Sequence, residues 1–156
     1  MQIGEWIQGR CGANGSDRPA ALMATGGNTD RRVLLRWEVP PAGPPALTVR
    51  AHTIADAVWS AGGLICDGAL SGWEVVVHTA DQSTPHALRI LGAGVIPPDP
   101  NDDCWTTPQP SRRDDGELRH VPSAAAMAFK AHATDLVHPG SCAPDMEMFR
   151  VIAELP

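Results

Sequence analysis

Residues 53–81 read TIADAVWSAGGLICDGALSGWEVVVHTAD, and this stretch predicts a buried helix that runs almost directly into a strand. No charged residue lies between Asp56 and Asp67, so apolar side chains surround nearly the whole helix. Gly72 follows at the position where a helix end favours a left-handed residue. We therefore predict a helix over 54–70 that packs against neighbours on more than one side.

A pair of glycines interrupts the middle of this predicted helix. Gly62 and Gly63 each cost about 1 kcal/mol relative to alanine in a helix interior. The sequence allows two explanations for the glycine pair. Either the pair allows another backbone to approach closely, or it divides the helix into two pieces.

Strands are predicted on both sides of the helix. Residues 31–39 alternate between apolar and polar side chains, as a half-buried strand does. The proline-rich stretch 40–45 cannot continue a sheet, so it predicts a turn into a return strand over 47–51. After the helix, residues 73–79 are rich in valine and predict another strand.

The remaining elements are predicted from shorter patterns. Strands are expected over 20–25, over 87–91 as the return of the 73–79 strand, and over 148–155. A second helix is expected over 123–136 because alanine and methionine recur there at helical spacing. Together these elements predict an α+β fold, a two-layer domain in which a mostly antiparallel sheet of hairpins packs against the buried helix (54–70) and the second helix (123–136).

Length and composition favour one globular domain over residues 1–156. A glycine-rich N-terminal loop is expected over 9–18. A long acidic, proline-rich loop is expected over 97–121, and loops of this length in compact domains are usually functional or disordered.

Several classes of function are disfavoured by charge and motif. The net charge of −6 argues against general binding to nucleic-acid phosphates. Lys130 is the only lysine and lies within a predicted helix, so no phosphate-binding Gly-Lys-Ser/Thr loop exists. No secretory signal or apolar membrane span is visible, and a cytoplasmic location is expected. No cofactor is predicted.

Two weak sets of side chains suggest chemistry. Glu74 and His78 alternate onto one face of a predicted strand and are candidates for an acid–base pair. Cys104, His138 and Cys142 are candidates for a metal site, although zinc sites usually contain two close ligand pairs and only one such pair occurs here.

The acidic loop suggests a different role. Trp105 stands in this loop beside Asp102 and Asp103, and a tryptophan there either packs back onto the domain or anchors a partner. We therefore hypothesise a non-catalytic protein-binding or regulatory module, with Trp105, Asp102 and Asp103 as candidate partner contacts. The alternatives are a small hydrolase-like or metal-dependent enzyme built on the two weak sets, and self-association through an open sheet edge.

Overall fold

The computed structural model describes residues 20–26, 33–98 and 117–155 of the chain. Seven strands and three helices lie within these ranges. They are β1 (Ala20–Gly26), β2 (Val33–Val39), β3 (Ala46–Ala51), α1 (Ile54–Leu70), β4 (Glu74–His78), α2 (Pro85–Ile90), β5 (Gly94–Ile96), β6 (Glu117–His120), α3 (Ala124–Val137) and β7 (Glu147–Leu155).

The strands form one mixed sheet in the order β5-β4-β3-β2-β1-β7-β6. Strands β1, β2 and β3 form an antiparallel meander, and β7 and β6 continue the antiparallel pattern beyond β1. The pairs β3–β4 and β4–β5 are parallel, because a helix separates the two strands of each pair along the chain. The predicted α+β class is confirmed, and most of the described pairings are antiparallel.

Helix α1 is buried between the sheet and the other helices. Leu35, Val49 and Val77 extend from one face of the sheet into the same core as Ile65 of α1. Helix α3 packs mainly on α1 and α2. The second apolar side of α1, which the sequence predicted, is therefore covered within the chain.

The ends of α1 follow their predicted chemistry. The hydroxyl of Thr53 accepts a hydrogen bond from Asp56 N at 3.1 Å, as an N-cap does. Gly72 has a φ of +87° and lies just beyond the last turn. Trp73 N donates to Gly68 O and Gly72 N to Ala69 O, which is the bonding pattern of a Schellman motif.

One prediction made from a short pattern is wrong. Residues 87–91 do not form a return strand, because most of them belong to helix α2, which begins with Pro85 in its first turn. The parallel neighbour of β4 is instead β5, beyond Gly92. The predicted loop over 97–121 contains the short strand β6 at its end, and the predicted glycine-rich loop over 9–18 lies outside the described residues.

None of the described helices is both long enough and apolar enough to span a membrane.

Candidate functional site

Helix α3 begins at a polar cluster that joins three elements. Ser123 is its N-cap, and the Ser123 hydroxyl accepts a hydrogen bond from Ala126 N at 3.1 Å. The same hydroxyl donates to Asp67 Oδ1 at 2.5 Å, while Ser123 N donates to Asp67 Oδ2 at 2.9 Å. His120 Nε2, at the end of β6, lies 2.9 Å from Asp67 Oδ2. Asp67 of α1 thus holds the first turn of α3 and the end of β6 together.

This cluster contains serine, histidine and aspartate but not in the order that nucleophilic catalysis requires. In a catalytic triad the histidine lies between the serine and the aspartate, so that it can take the serine proton. Here Asp67 lies between Ser123 and His120, and the serine hydroxyl already donates to the carboxylate. The geometry is that of a structural link.

The middle of α3 is held by a buried ion pair. Lys130 Nζ lies 2.6 Å from Glu147 Oε2, and the two side chains are only 3% and 1% exposed. Lys130 Nζ also donates to Pro144 O at 3.4 Å. The single lysine of the chain is therefore a core residue, which joins α3 to the first residue of β7.

Glu147 is bound to the middle of α1 as well. Its Oε2 accepts a hydrogen bond from Gly63 N at 2.8 Å, and its Oε1 accepts one from Leu64 N at 2.7 Å. These two amides belong to the helix interior, where donors usually bond to the carbonyl four residues earlier. The carboxylate can reach them because Gly63 has no side chain. The glycine pair therefore serves close packing, the first of the two explanations that the sequence left open.

The C-terminal end of α3 makes a third contact with α1. His138 is the C-cap residue of α3, and its ring packs edge-on against Trp59 with the ring centroids 5.9 Å apart. Its partner in this structure is thus an aromatic ring. Together with the Asp67 cluster and the Lys130–Glu147 pair, this contact fixes α3 along its whole length.

The opposite side of α3 carries large apolar side chains in contact with solvent. Phe129 is 44% exposed and Leu136 is 41% exposed, although both are of a type that usually lies in a core. Helical spacing places other exposed residues on the same side. We call this surface the α3 outer face, and it consists of Ala125, Ala128, Phe129, His132 and Leu136.

The structure does not bring the proposed acid–base pair together. Glu74 and His78 stand at opposite ends of β4, and four residue steps of extended strand place their Cα atoms about 13 Å apart. Glu74 lies opposite Ala46 and His78 lies opposite Arg50 of β3. His78 and Glu74 therefore have different neighbours on β3.

The other candidate residues from the sequence fall partly outside the described ranges. Outside these ranges lie Cys104, Trp105, Asp102 and Asp103. The partner-binding role of Trp105, Asp102 and Asp103 therefore stays a prediction. Cys142 is exposed. Among the described residues there is no group of three or more histidine, cysteine or acidic side chains that could hold a metal ion.

Cys66 behaves as a small buried hydrophobic residue. It is a free thiol in the interior of α1. Burial raises its pKa to about 11, and the neighbouring charge of Asp67 adds to that shift. Because the thiolate is the reactive form of cysteine, the folded protein keeps this residue unreactive at neutral pH.

We expect the two described cysteines to differ sharply in their rates of alkylation. In native protein at pH 8, iodoacetamide should modify Cys142 within minutes and leave Cys66 intact, because Cys66 is both buried and protonated. Peptide mapping by mass spectrometry measures each site separately. Both sites should react in 6 M guanidinium chloride. Equal rates at the two sites in native protein would contradict the buried position of Cys66.

Comparison with known proteins gives no relative from which a function can be transferred. No protein-family model, no curated protein and no solved structure matches this chain. Function is therefore inferred from the geometry of this structure.

Sequence reasoning missed most of the residues that hold α3. Asp67 and Glu147 carried no local signal. Asp67 binds Ser123, which is 56 residues away, and Glu147 binds Gly63, which is 84 residues away. Ser123 was placed at the start of the second helix, and its role as an N-cap agrees with that position. Lys130 offered one signal, because a lone lysine in an otherwise apolar helix stretch needs a counter-charge if it is buried.

Proposed function

We propose that this protein is a non-catalytic binding module that presents the α3 outer face to another protein. The observation that carries the proposal is the exposure of Phe129 and Leu136 along one side of a rigidly held helix. Exposed apolar surface with polar surroundings is typical of protein–protein contact sites. Aromatic side chains such as Phe129 are enriched in these sites.

The rigid support of α3 favours binding. Association costs less free energy when the binding surface is already ordered, because fewer side chains and loops must be fixed on contact. Ser123, Lys130 and His138 hold the inner side of α3 at its start, middle and end. The outer face is therefore presented in one conformation.

The charges around α3 indicate the chemistry of the partner. Asp135 is an exposed acid of this helix next to Leu136, whereas the lysine of the helix, Lys130, is buried against Glu147. The protein as a whole carries a net charge of −6. We infer a partner with an apolar ridge flanked by lysine or arginine, since charges of opposite sign favour encounter and orientation.

An enzymatic role has less support. Glu74 and His78 are separated along β4, and the Asp67 cluster has its carboxylate between the serine and the histidine. A metal-dependent role would need ligands beyond those of the described residues.

The test uses a synthetic helical peptide as the partner. A 14-residue peptide with leucine on one face and lysine on the other should bind the full chain with a Kd in the micromolar range, measured by fluorescence anisotropy of labelled peptide. The double variant Phe129→Ser/Leu136→Ser should bind at least tenfold more weakly, because two apolar contacts of about 1–2 kcal/mol each are lost.

Two matched controls make the result specific. Ile96→Ser removes a side chain that is 44% exposed on β5, away from α3, and should change the Kd by less than twofold. A peptide in which glutamate replaces lysine should not bind. If Ile96→Ser weakens binding as much as the double variant does, the α3 outer face is not the site. Sedimentation of the free chain at two concentrations shows whether a second copy occupies this face instead.

A further inference from the structure

A cleft of about 260 Å³ lies at one end of the sheet, away from the α3 outer face. We call it the strand-end cleft. It forms where the parallel strands β3 and β4 end, and His52 and Ala80, just beyond these strands, contribute to its lining together with Pro98. Ligands of sheets with parallel strands are commonly bound in crevices outside the carboxyl ends of those strands.

Three nitrogen-bearing side chains converge on this cleft. Arg50 and His78 are direct neighbours across the β3–β4 pair, so their side chains share one face of the sheet. His52 follows Arg50 by two residues, and all three line the cleft. Arg50 and His78 also interact with other groups of the chain. A bound ligand would contact these two side chains in addition to those groups. A guanidinium and two imidazoles are groups that bind carboxylate and phosphate oxygens.

The backbone that carries these side chains is fixed. The hydroxyl of Thr79 donates to His52 O at 3.2 Å and accepts a hydrogen bond from Asp81 N at the same distance. This contact ties the end of β3 to the end of β4. The backbone positions that carry the lining groups are therefore set before any ligand arrives, which lowers the free-energy cost of binding.

A nearby carboxylate is already engaged by the start of helix α1. Asp81 Oδ2 accepts a hydrogen bond from Ile54 N at 2.9 Å, and Oδ1 accepts one from Ser83 N at 2.8 Å. Hydrogen bonds from Ser83 and Ile54 lower the pKa of Asp81, and the nearby His52 contributes in the same direction. Asp81 thus occupies the positive, N-terminal end of α1.

The remaining walls of the cleft are apolar. Leu34, Ala51 and Pro98 contribute to them. The volume is slightly below the roughly 300–1,000 Å³ of sites for drug-sized molecules. We propose that the strand-end cleft binds a small organic oxyanion, in which a carboxylate or phosphate group contacts Arg50, His52 and His78 and a short hydrocarbon part contacts the apolar wall. This proposal is independent of the α3 outer face.

The experiment follows amide shifts of the full chain by NMR during titration with four probes at constant ionic strength. Butyrate and butyl phosphate test the two kinds of anionic group, and acetate and inorganic phosphate test the contribution of the hydrocarbon part. We expect saturable shifts at His52, Thr79 and Ala80, with butyrate binding roughly tenfold more tightly than acetate, since each buried CH₂ favours binding.

Arg50→Gln should weaken binding of the preferred probe at least tenfold. Arg119→Gln, on β6 at the opposite edge of the sheet, makes the same change in net charge and should stay within twofold. If Arg50→Gln fails to fold, His78→Gln serves as the second variant, with the same expectation. Equal weakening by Arg119→Gln, or shifts that spread over the surface without saturating, would show general charge attraction and overturn the proposal.

Discussion

Glu147→Ala is expected to lower the free energy of unfolding by about 4 kcal/mol, a large part of the stability of an ordinary domain. The change removes the counter-charge of Lys130, whose side chain is 3% exposed and would be left as a buried ammonium without an anionic partner. It also removes the acceptor of the Gly63 and Leu64 amides. Urea unfolding followed by circular dichroism measures the loss.

A double-mutant cycle with Lys130→Met separates the ion pair from simple loss of packing. Lys130→Met alone should cost about 3 kcal/mol, because the carboxylate then keeps its amide donors but loses its cation. The double variant should be at least 2 kcal/mol more stable than the sum of the two single effects predicts, since it leaves no unpaired charge. Asp145→Ala, a change of an exposed acid near Glu147, should cost less than about 0.5 kcal/mol. Strict additivity within the cycle would mean that Lys130 and Glu147 do not interact in solution.

Gly63→Ala is expected to destabilise the protein by about 2–3 kcal/mol, although alanine is the better helix former by about 1 kcal/mol. A β-carbon on Gly63 would collide with the ring of Pro122, whose Cβ would lie 2.8 Å away. It would also lie 3.2 Å from Glu147 Oε1. The ring of Pro122 is rigid, so the loop before α3 would have to move away from α1.

Gly62→Ala is the matched control for that prediction. It is the adjacent glycine of the same helix, but a β-carbon there would meet mainly the flexible side chain of Lys130, at 3.2 Å from Cγ. We expect a change of less than about 1 kcal/mol, since the gain in helix propensity offsets a small shift of the lysine. Thermal unfolding of both variants provides the comparison. Equal effects at the two positions would show that helix propensity, and not the contact with Pro122, determines the outcome.

The parts of the fold that the sequence predicted are those with local causes. Helix α1 was predicted over its observed length because its apolar circumference and the caps at Thr53 and Gly72 all lie within one stretch. The alternation of apolar and polar residues along β2 predicted that strand in the same way. In contrast, the short apolar run that forms α2 fits a strand as well as a helix, and such runs are ambiguous by pattern alone.

The polar contacts of α3 were beyond prediction for a different reason. Asp67 and Ser123 are 56 residues apart, and Gly63 and Glu147 are 84 residues apart. Only the path of the chain through the sheet brings these groups together, and periodicity in a single sequence does not contain that path. The strand-end cleft likewise depends on the pairing of Arg50 with His78, which follows from the parallel arrangement of β3 and β4.

The position of β7 has a consequence for the synthesis of the protein. This strand comes last along the described chain but lies inside the sheet, between β1 and β6. While the ribosome still holds residues 147–155, β1 has an unpaired edge on that side and Lys130 lacks its counter-charge. An unpaired strand edge in a partly folded chain favours aggregation. The nascent protein therefore depends on the release of β7, and we expect the native state to form only after that strand has left the ribosome.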